Sequence, residues 1–235
     1  MKIILGLILC LIFQGIFLES SFALLDSNVR EFLENRVNQW PELYLPNFKL
    51  SDVSKDLIYP EWFEGNWLVT SQDIINDSEK PVIYKVNFFK NDSDLIVGNR
   101  AKNSESLGKA IFGDTLLKVV NDPKSFNSQI TYLKDDFYID SRIKGRTQIQ
   151  DNDIFFADEL VIQTDHIPSA SRVNQVEVIS KFKKCDRINL KFKDRKKTDI
   201  CGVQYIATYG SRVGDPSVHA IKTNKYKLTF KFIGN

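Results

Sequence analysis

Few residues in this sequence have the types and spacings that catalysis or metal binding requires. The two histidines, His166 and His219, have no second ligand or nucleophile at a helical or strand spacing, so each is predicted to lie in a loop. Asp151-Asn152-Asp153 begins like a calcium loop but lacks the later Gly and Glu, which indicates a turn. Phosphate-binding loops and nucleophile elbows are missing from the sequence. We therefore expect no catalytic residue, no metal and no cofactor, and enzyme activity stays uncertain.

Two carboxylates that share a proton would offer another kind of chemistry. Asp158-Glu159 is an example of such a pair in the sequence. Adjacent residues of a strand point to opposite faces of the sheet, so these two carboxylates cannot share a proton if they lie in a strand.

The cysteine pattern leaves two alternatives open. Cys10 lies in the apolar N-terminal segment, whereas Cys185 and Cys201 lie 16 positions apart near the end of the chain. In an oxidising compartment these two thiols could close a loop and contribute about 3 kcal/mol. However, the alternation of Ile188, Leu190 and Phe192 places Cys185 on the polar side of a predicted hairpin, unless a bulge intervenes. A disulfide and two separate buried thiols both remain possible.

A basic segment spans the same predicted hairpin. Residues 181–197 contain nine lysines and arginines against two aspartates, including Lys191, Lys193, Arg195, Lys196 and Lys197. This charge could contact an anionic membrane weakly or an acidic partner, or it could be a solvated face that protects a sheet edge. Nucleic acid is not expected as a partner, because the aromatic residues here alternate toward the core and form no stacking platform.

The N-terminal segment has the features of an export signal. Lys2 precedes an apolar run from Ile3 to Leu18, and Ser21-Phe22-Ala23 supplies small residues for cleavage after Ala23. A run of about 16 residues is shorter than the roughly 20 that span a bilayer. We therefore expect residues 1–23 to be a signal peptide and the protein to be exported.

A helix and an extended connector are predicted over residues 24–56. From Asp26 to Trp40 the apolar residues have helical spacing, and Pro41 ends the pattern. Mixed flanking charges favour packing of this helix across the main domain rather than on a membrane. Pro41 and Pro46 indicate that the segment Pro41–Asp56 is an extended connector.

After Gly65 the apolar pattern changes to period two. In the last such segment, Tyr226, Leu228, Phe230 and Phe232 alternate with polar residues, which indicates an antiparallel sheet with one dry face. About ten such strands usually close into a barrel, and Ser104–Phe112 is the one internal helix predicted, as a lid or plug. Residues 57–235 are thus predicted to form an all-β antiparallel barrel domain. The predicted strands are Trp67–Asp73, Val82–Lys90, Leu95–Arg100, Leu116–Asn121, Gln129–Lys134, Phe137–Lys144, Ile154–Thr164, Asn174–Lys183, Ile188–Lys193, Val203–Tyr209 and Lys225–Ile233.

The segment Tyr59-Pro-Glu-Trp-Phe-Glu-Gly-Asn-Trp67 resembles the opening of a lipocalin, or calycin-type, barrel. In that arrangement Gly65 lets the chain turn closely across the barrel floor, and Trp67 points inward to close it. Trp62 is assigned to the same floor.

The order of several motifs resembles an uncharacterised, lipocalin-like family of cyanobacteria and plant plastids. The resemblance runs from about Leu57 to Phe232 and implies a photosynthetic cell, hence the thylakoid lumen or the periplasm. It brings no catalytic residue, and this chain departs from the family pattern in its basic segment and two cysteines. The motifs are Tyr59–Ser71, Phe112–Val119, Asn121–Pro123, Ser128–Thr131 and Asn174–Ile179.

Three classes of function fit this interpretation. The first is a non-catalytic carrier of a small apolar ligand, such as a lipid, a carotenoid or a tetrapyrrole-like molecule, because a barrel of this size can hold one. The second is an accessory or assembly factor of the photosynthetic membranes, with a barrel filled by its own side chains. The third, less favoured, is a barrel enzyme such as an isomerase or a chromophore lyase. An open apolar interior would favour the first and third classes.

Overall fold

The computed structural model describes residues 26–48, 55–76, 78–123, 125–168, 170–185, 198–210 and 218–234. Within them lie helix α1 at residues 26–39, helix α2 at Arg100–Phe112, and short 3-10 helices at Glu61–Phe63 and Gly113–Thr115. The strands are β1 (Ile58–Tyr59), β2 (Gly65–Asp73), β3 (Val82–Lys90), β4 (Ile96–Gly98), β5 (Leu116–Asp122), β6 (Ser125–Leu133), β7 (Tyr138–Gln150), β8 (Ile154–Ile167), β9 (Ala170–Lys184), β10 (Ile200–Tyr209) and β11 (Ala220–Gly234).

All of these strands belong to one antiparallel sheet, in the order β1-β4-β3-β2-β11-β10-β9-β8-β7-β6-β5. Strands β5 to β11 follow one another as a meander, and β11 then pairs with β2, with Phe230 opposite Val69. The sheet curls into a half-barrel. The antiparallel, mainly β architecture predicted from the sequence is confirmed. Closure is not complete among the described strands, because β1 and β5 end the order.

Helix α1 covers part of the outer face of the sheet, as the helical apolar stripe predicts. Leu33 is fully buried in one cluster with Phe156, Ile179 and Tyr209 of the three strands β8, β9 and β10. The inner face of β8 is buried as well, through Phe155 and Ala157. Strand β8 is therefore buried on both faces, which explains why its apolar residues run almost continuously instead of alternating.

Helix α2 begins at Arg100, four residues before the predicted start, and packs against β3 and β5. Its side chains bind backbone groups of β3 that β4 does not reach. The Asn87 N–H donates to Asn103 Oδ1 at 2.8 Å, Asn103 Nδ2 donates to the Asn87 carbonyl at 3.0 Å, and the Lys85 N–H donates to Ser106 Oγ at 3.0 Å. The helix thus satisfies backbone hydrogen-bonding groups at the open edge of β3. It also contacts β5, which lies at the other end of the strand order.

Strand β7 runs well beyond its predicted end at Lys144. The register with β8 shifts between Ile143 and Gly145, so the apolar alternation changes phase there and looks like the end of a strand. Gly145 also has a packing reason: a Cβ at this position would lie 2.2 Å from the ring of Phe48 in the connector. The two-residue strand β1 was not predicted, and the predicted strand Ile188–Lys193 lies outside the described residues.

Candidate functional site

A cavity of about 280 Å³ lies on the inner face of the curled sheet. Strands β3 and β8 to β11 line it, together with the 3-10 helix Glu61–Phe63 and, from α2, Asn103, Ser104 and Leu107. Aromatic rings dominate the lining, which makes the site suited to apolar and ring-containing molecules. These rings are Tyr59, Phe63, Tyr84, Phe88, Phe155, Phe182 and Phe230.

Phe63 is the centre of this aromatic cluster. Its side chain is fully buried, and its ring centroid lies 5.0 Å from those of Tyr59 and Phe88, 5.6 Å from Phe182 and 5.9 Å from Phe230. Such tilted and edge-on pairs stabilise a cluster beyond the area that they bury. The 3-10 helix Glu61–Phe63 places this ring on the inner face of the sheet. The apolar alternation of the strands did not predict this helix.

Trp67 is 0% exposed on the inner face of β2, in the same buried cluster as Phe63. Its Nε1 donates to the Phe63 carbonyl at 2.6 Å, and its ring meets Phe232 edge-on at 5.3 Å. Gly65 has φ +114°, a backbone conformation that only glycine adopts readily. Trp62 is partly buried and stacks on Phe63 at 4.6 Å. The three residues assigned to the floor thus lie together around Phe63.

Polar groups occupy one part of the cavity wall. Gln204 Nε2 donates to Ser180 Oγ at 3.1 Å across β10 and β9, which leaves the Ser180 hydroxyl proton to donate elsewhere. Glu159 accepts two hydrogen bonds from Arg146, at 2.8 and 2.6 Å, through one carboxylate oxygen. Burial raises the pKa of Tyr84 to about 12, so its phenol is a neutral donor at physiological pH. The cavity can therefore hydrogen-bond a polar substituent on an otherwise apolar ligand.

The opposite face of the same strands holds a buried ion pair beneath α1. Arg36 donates to both carboxylate oxygens of Glu177, at 2.8 and 2.7 Å, and to the Tyr44 carbonyl at 2.7 Å. The Tyr209 hydroxyl also donates to Glu177. Burial, followed by the Glu177 charge, raises the pKa of Tyr209 far above its ordinary value. The network ties the N-terminal helix to β9 and β10.

Asp158 lies on this outer face, fully buried beside Glu177. Among the described residues no donor reaches either of its carboxyl oxygens. Burial, followed by the Glu177 charge, raises the pKa of Asp158 well above its ordinary value, and Arg36 offsets only part of this effect. A protonated Asp158 can donate to Glu177. As predicted, Glu159 points the other way, into the inner cavity, so this adjacent pair shares no proton.

Sequence reasoning missed this network, although two signals for it exist. Arg36 occupies a position in the apolar stripe of α1, four residues after Phe32 and four before Trp40. Glu177 lies between Val176 and Val178 in a strand, so its side chain is on the opposite face from theirs, and that face is buried. A charged residue at either position implies a buried partner, but the pattern does not identify that partner.

Cys185 and Cys201 are joined by a disulfide, with 5.0 Å between their Cα atoms. Cys185 is one residue past the end of β9, where strand alternation no longer sets the face of a side chain, and its N–H donates to the Asp199 carbonyl at 2.8 Å. The five cations proposed to meet an anionic surface, Lys191, Lys193, Arg195, Lys196 and Lys197, all lie outside the described residues. Their role stays a prediction.

The two histidines take part in local packing. His166 lies in β8, so its assignment to a loop was wrong. Its ring stacks on Tyr138 at 4.3 Å because both side chains face the same side of a hairpin. His219 forms a bridge with Tyr44, and their rings meet at a tilt with centroids 3.9 Å apart. The turn predicted at Asp151 is confirmed, since its Oδ1 accepts from the backbone N–H groups of Asp153 and Ile154.

The described parts of the chain contain no cluster of His, Cys, Asp and Glu side chains that could hold a metal ion. Nor does any helix within them have the length and apolar character needed to cross a membrane.

Fold and site together define a curled antiparallel β-sheet protein with an aromatic cavity on its inner face. The chain belongs to the protein family described as a domain of unknown function, DUF6816, whose sequence model matches residues 51–231. The resemblance to an uncharacterised family is thereby confirmed. No curated protein and no solved structure matched the chain. Helix α1, which supplies Arg36, precedes the matched range.

Proposed function

We propose that this protein binds a small apolar, ring-containing molecule in the cavity on the inner face of its sheet. One observation carries the proposal: seven aromatic side chains surround a space of about 280 Å³ that the side chains of the described residues leave open. Water in such a space would have few partners among the rings, so an apolar ligand gains free energy by replacing it.

The volume limits the size of the ligand. A cavity of about 150 Å³ binds benzene, so a space of this size holds on the order of ten to fifteen non-hydrogen atoms. A complete carotenoid or tetrapyrrole exceeds that number. Of the ligand classes considered, the cavity therefore suits a monocyclic or bicyclic molecule, or one ring of a longer molecule whose remainder extends past α2.

The polar part of the wall adds selectivity. A ligand with a carbonyl or hydroxyl group near Ser180 and Gln204 gains a hydrogen bond there, whereas a pure hydrocarbon leaves those groups without one. An open interior also favours a ligand carrier over the alternative of an assembly factor whose barrel is filled by side chains.

The proposal extends to cellular location and to the finer fold assignment. The N-terminal segment and the family resemblance support export to the thylakoid lumen or periplasm of a photosynthetic cell. The 3-10 helix before Gly65 and Trp67, and the pairing of β11 with β2, support a lipocalin-like affiliation. Sequencing the N-terminus of the native protein tests export: Leu24 as the first residue supports it, and an intact Met1 contradicts it.

Ligand binding is tested by titration with β-ionone, a monocyclic apolar ketone. Trp62 stacks on the ring of Phe63 beside the cavity, so we expect saturable quenching of tryptophan fluorescence. Val178→Phe places extra volume inside the cavity and should abolish the quenching. Val120→Phe makes the same change at an exposed position of β5 and should leave it intact.

Two outcomes would contradict the proposal: no saturable quenching by β-ionone, or equal quenching of the two variants. Thermal unfolding of both variants shows whether the larger side chain at residue 178 preserves the fold. Mass spectrometry of a solvent extract of protein purified from its own cells then identifies the natural ligand.

A further inference from the structure

A second concave surface lies on the outer face of the sheet, beside α1, and shares only Phe182 and Leu228 with the lining of the inner cavity. This groove has a volume of about 390 Å³ and crosses the strands β9, β10 and β11. Its floor is Cys201, Val203 and Tyr205, successive outward-facing residues of β10. Ile74 and Ile154 extend the apolar surface at its sides.

Lysines stand on both sides of this apolar floor. Val203 lies directly opposite Lys181 of β9 and Lys227 of β11, and Cys201 lies opposite Lys183. Directly opposed residues of neighbouring strands have Cβ atoms about 5 Å apart and share one face. The register therefore places an apolar strip along β10 between two rows of positive charge.

These lysines need an explanation other than edge protection. Lysines often protect the edge of a sheet, but β10 is the sixth of eleven strands in the order and both of its neighbours are fully paired. Lys181 is held by Glu34 of α1 at 2.7 Å. None of the described residues that line the groove is acidic, so Lys227 adds positive charge to its border.

We propose that this groove binds a single-chain anionic amphiphile of the fatty-acid class. The chain would lie along Cys201, Val203 and Tyr205, and the carboxylate would meet Lys227. By the ratio of cavity volume to ligand size used above, the groove holds roughly fifteen non-hydrogen atoms, which suits one acyl chain. A concave strip one strand wide suits a single chain better than a flat lipid surface.

Charge disfavours one competing occupant, the segment of this chain between Cys185 and Thr198. Residues 186–197 contain six lysines and arginines and two aspartates. Like charges repel this basic segment from a groove bordered by lysines, whereas a carboxylate gains from both the charge and the apolar floor.

The test is a fluorescence titration of the full-length mature protein with cis-parinaric acid and, separately, with its uncharged methyl ester. We expect saturable binding of the acid below its aggregation threshold, and binding of the ester weaker by on the order of tenfold. Lys227→Glu reverses one border charge and should weaken binding of the acid by a similar factor. Lys231→Glu, four residues further along the same face of β11 and outside the groove, is the matched control and should change affinity less than about twofold.

Several outcomes would overturn the proposal. Equal affinities for the acid and the ester would show that the lysines do not contribute to binding. Equal affinities of Lys227→Glu and Lys231→Glu for the acid would show the same. Loss of parinaric acid binding in Val178→Phe would assign the ligand to the inner cavity instead. Because Val178→Phe tests the inner site and Lys227→Glu the outer one, the failure of either proposal can be told apart from the failure of the other.

Discussion

Arg36 of α1 and Glu177 of β9 form a buried ion pair between residues 141 positions apart in the chain, with Arg36 Nη2 2.7 Å from Glu177 Oε2. Glu177 is 0% exposed and Arg36 6% exposed. The pair joins a helix that precedes the family-matched range to the centre of the sheet. This α1 contact therefore completes the buried surface of the domain.

Arg36→Met should lower the free energy of unfolding by about 3–5 kcal/mol, because it leaves the Glu177 charge buried without its partner. Arg30→Met is the control on the same helix. Arg30 pairs with Asp151 at 3.3 Å with both side chains exposed, so its loss should cost less than about 1 kcal/mol. Denaturant unfolding measures both variants. Similar losses in the free energy of unfolding would show that the buried ion pair stabilises the protein no more than the exposed one.

Asp158→Asn should stabilise the protein at neutral pH. The pKa of Asp158 is raised on folding, so the folded state holds this proton more tightly than the unfolded chain does. The associated stability is complete below the ordinary pKa of an aspartate, near 4, and is lost as pH rises through the raised value. The free energy of unfolding of Asp158→Asn should therefore increase relative to that of the parent as pH rises from about 4 to 7.

Unfolding midpoints across that pH range measure the effect of Asp158→Asn. Asp92→Asn, at an exposed position, is the control and should follow the parent. Parallel profiles for Asp158→Asn and the parent would mean that Asp158 does not hold a proton on folding.

Trp67→Ala should lower the free energy of unfolding by about 3–5 kcal/mol, the usual cost of removing a large buried aromatic ring. The loss includes the hydrogen bond from Nε1 to the Phe63 carbonyl. Trp62→Ala, at a partly buried position of the same floor, should cost less. An unfolding midpoint of Trp67→Ala within error of the parent would contradict a structural role for this ring.

Gly65→Ala should cost about 1–2 kcal/mol, because the φ of +114° at this position is unfavourable for any residue with a Cβ. Gly210→Ala is the matched control: its φ lies outside the positive range, and an added Cβ there would meet no atom of the described residues within 4 Å. Denaturant midpoints compare the two, and equal effects would argue against backbone strain at Gly65.

The amino-acid sequence by itself determined the local elements of this protein. Period-two alternation placed Val82–Lys90 with the same bounds that β3 has, and the apolar stripe after Asp26 placed α1. These predictions succeed because the spacing of apolar residues reflects which faces are buried. The Gly65 and Trp67 pattern likewise marked a real packing centre, although its hub is Phe63.

Only the tertiary structure decided which elements meet. Alternation shows that β11 has a buried face but not that it pairs with β2, and it cannot show that α2 takes the place of a strand beside β3. Arg36 and Glu177 are both visible in the sequence, yet their partnership depends on packing α1 across β9. The physical reason is that periodicity is a local property, whereas pairing, burial of charge and the shape of a cavity are set by contacts between residues far apart in the chain.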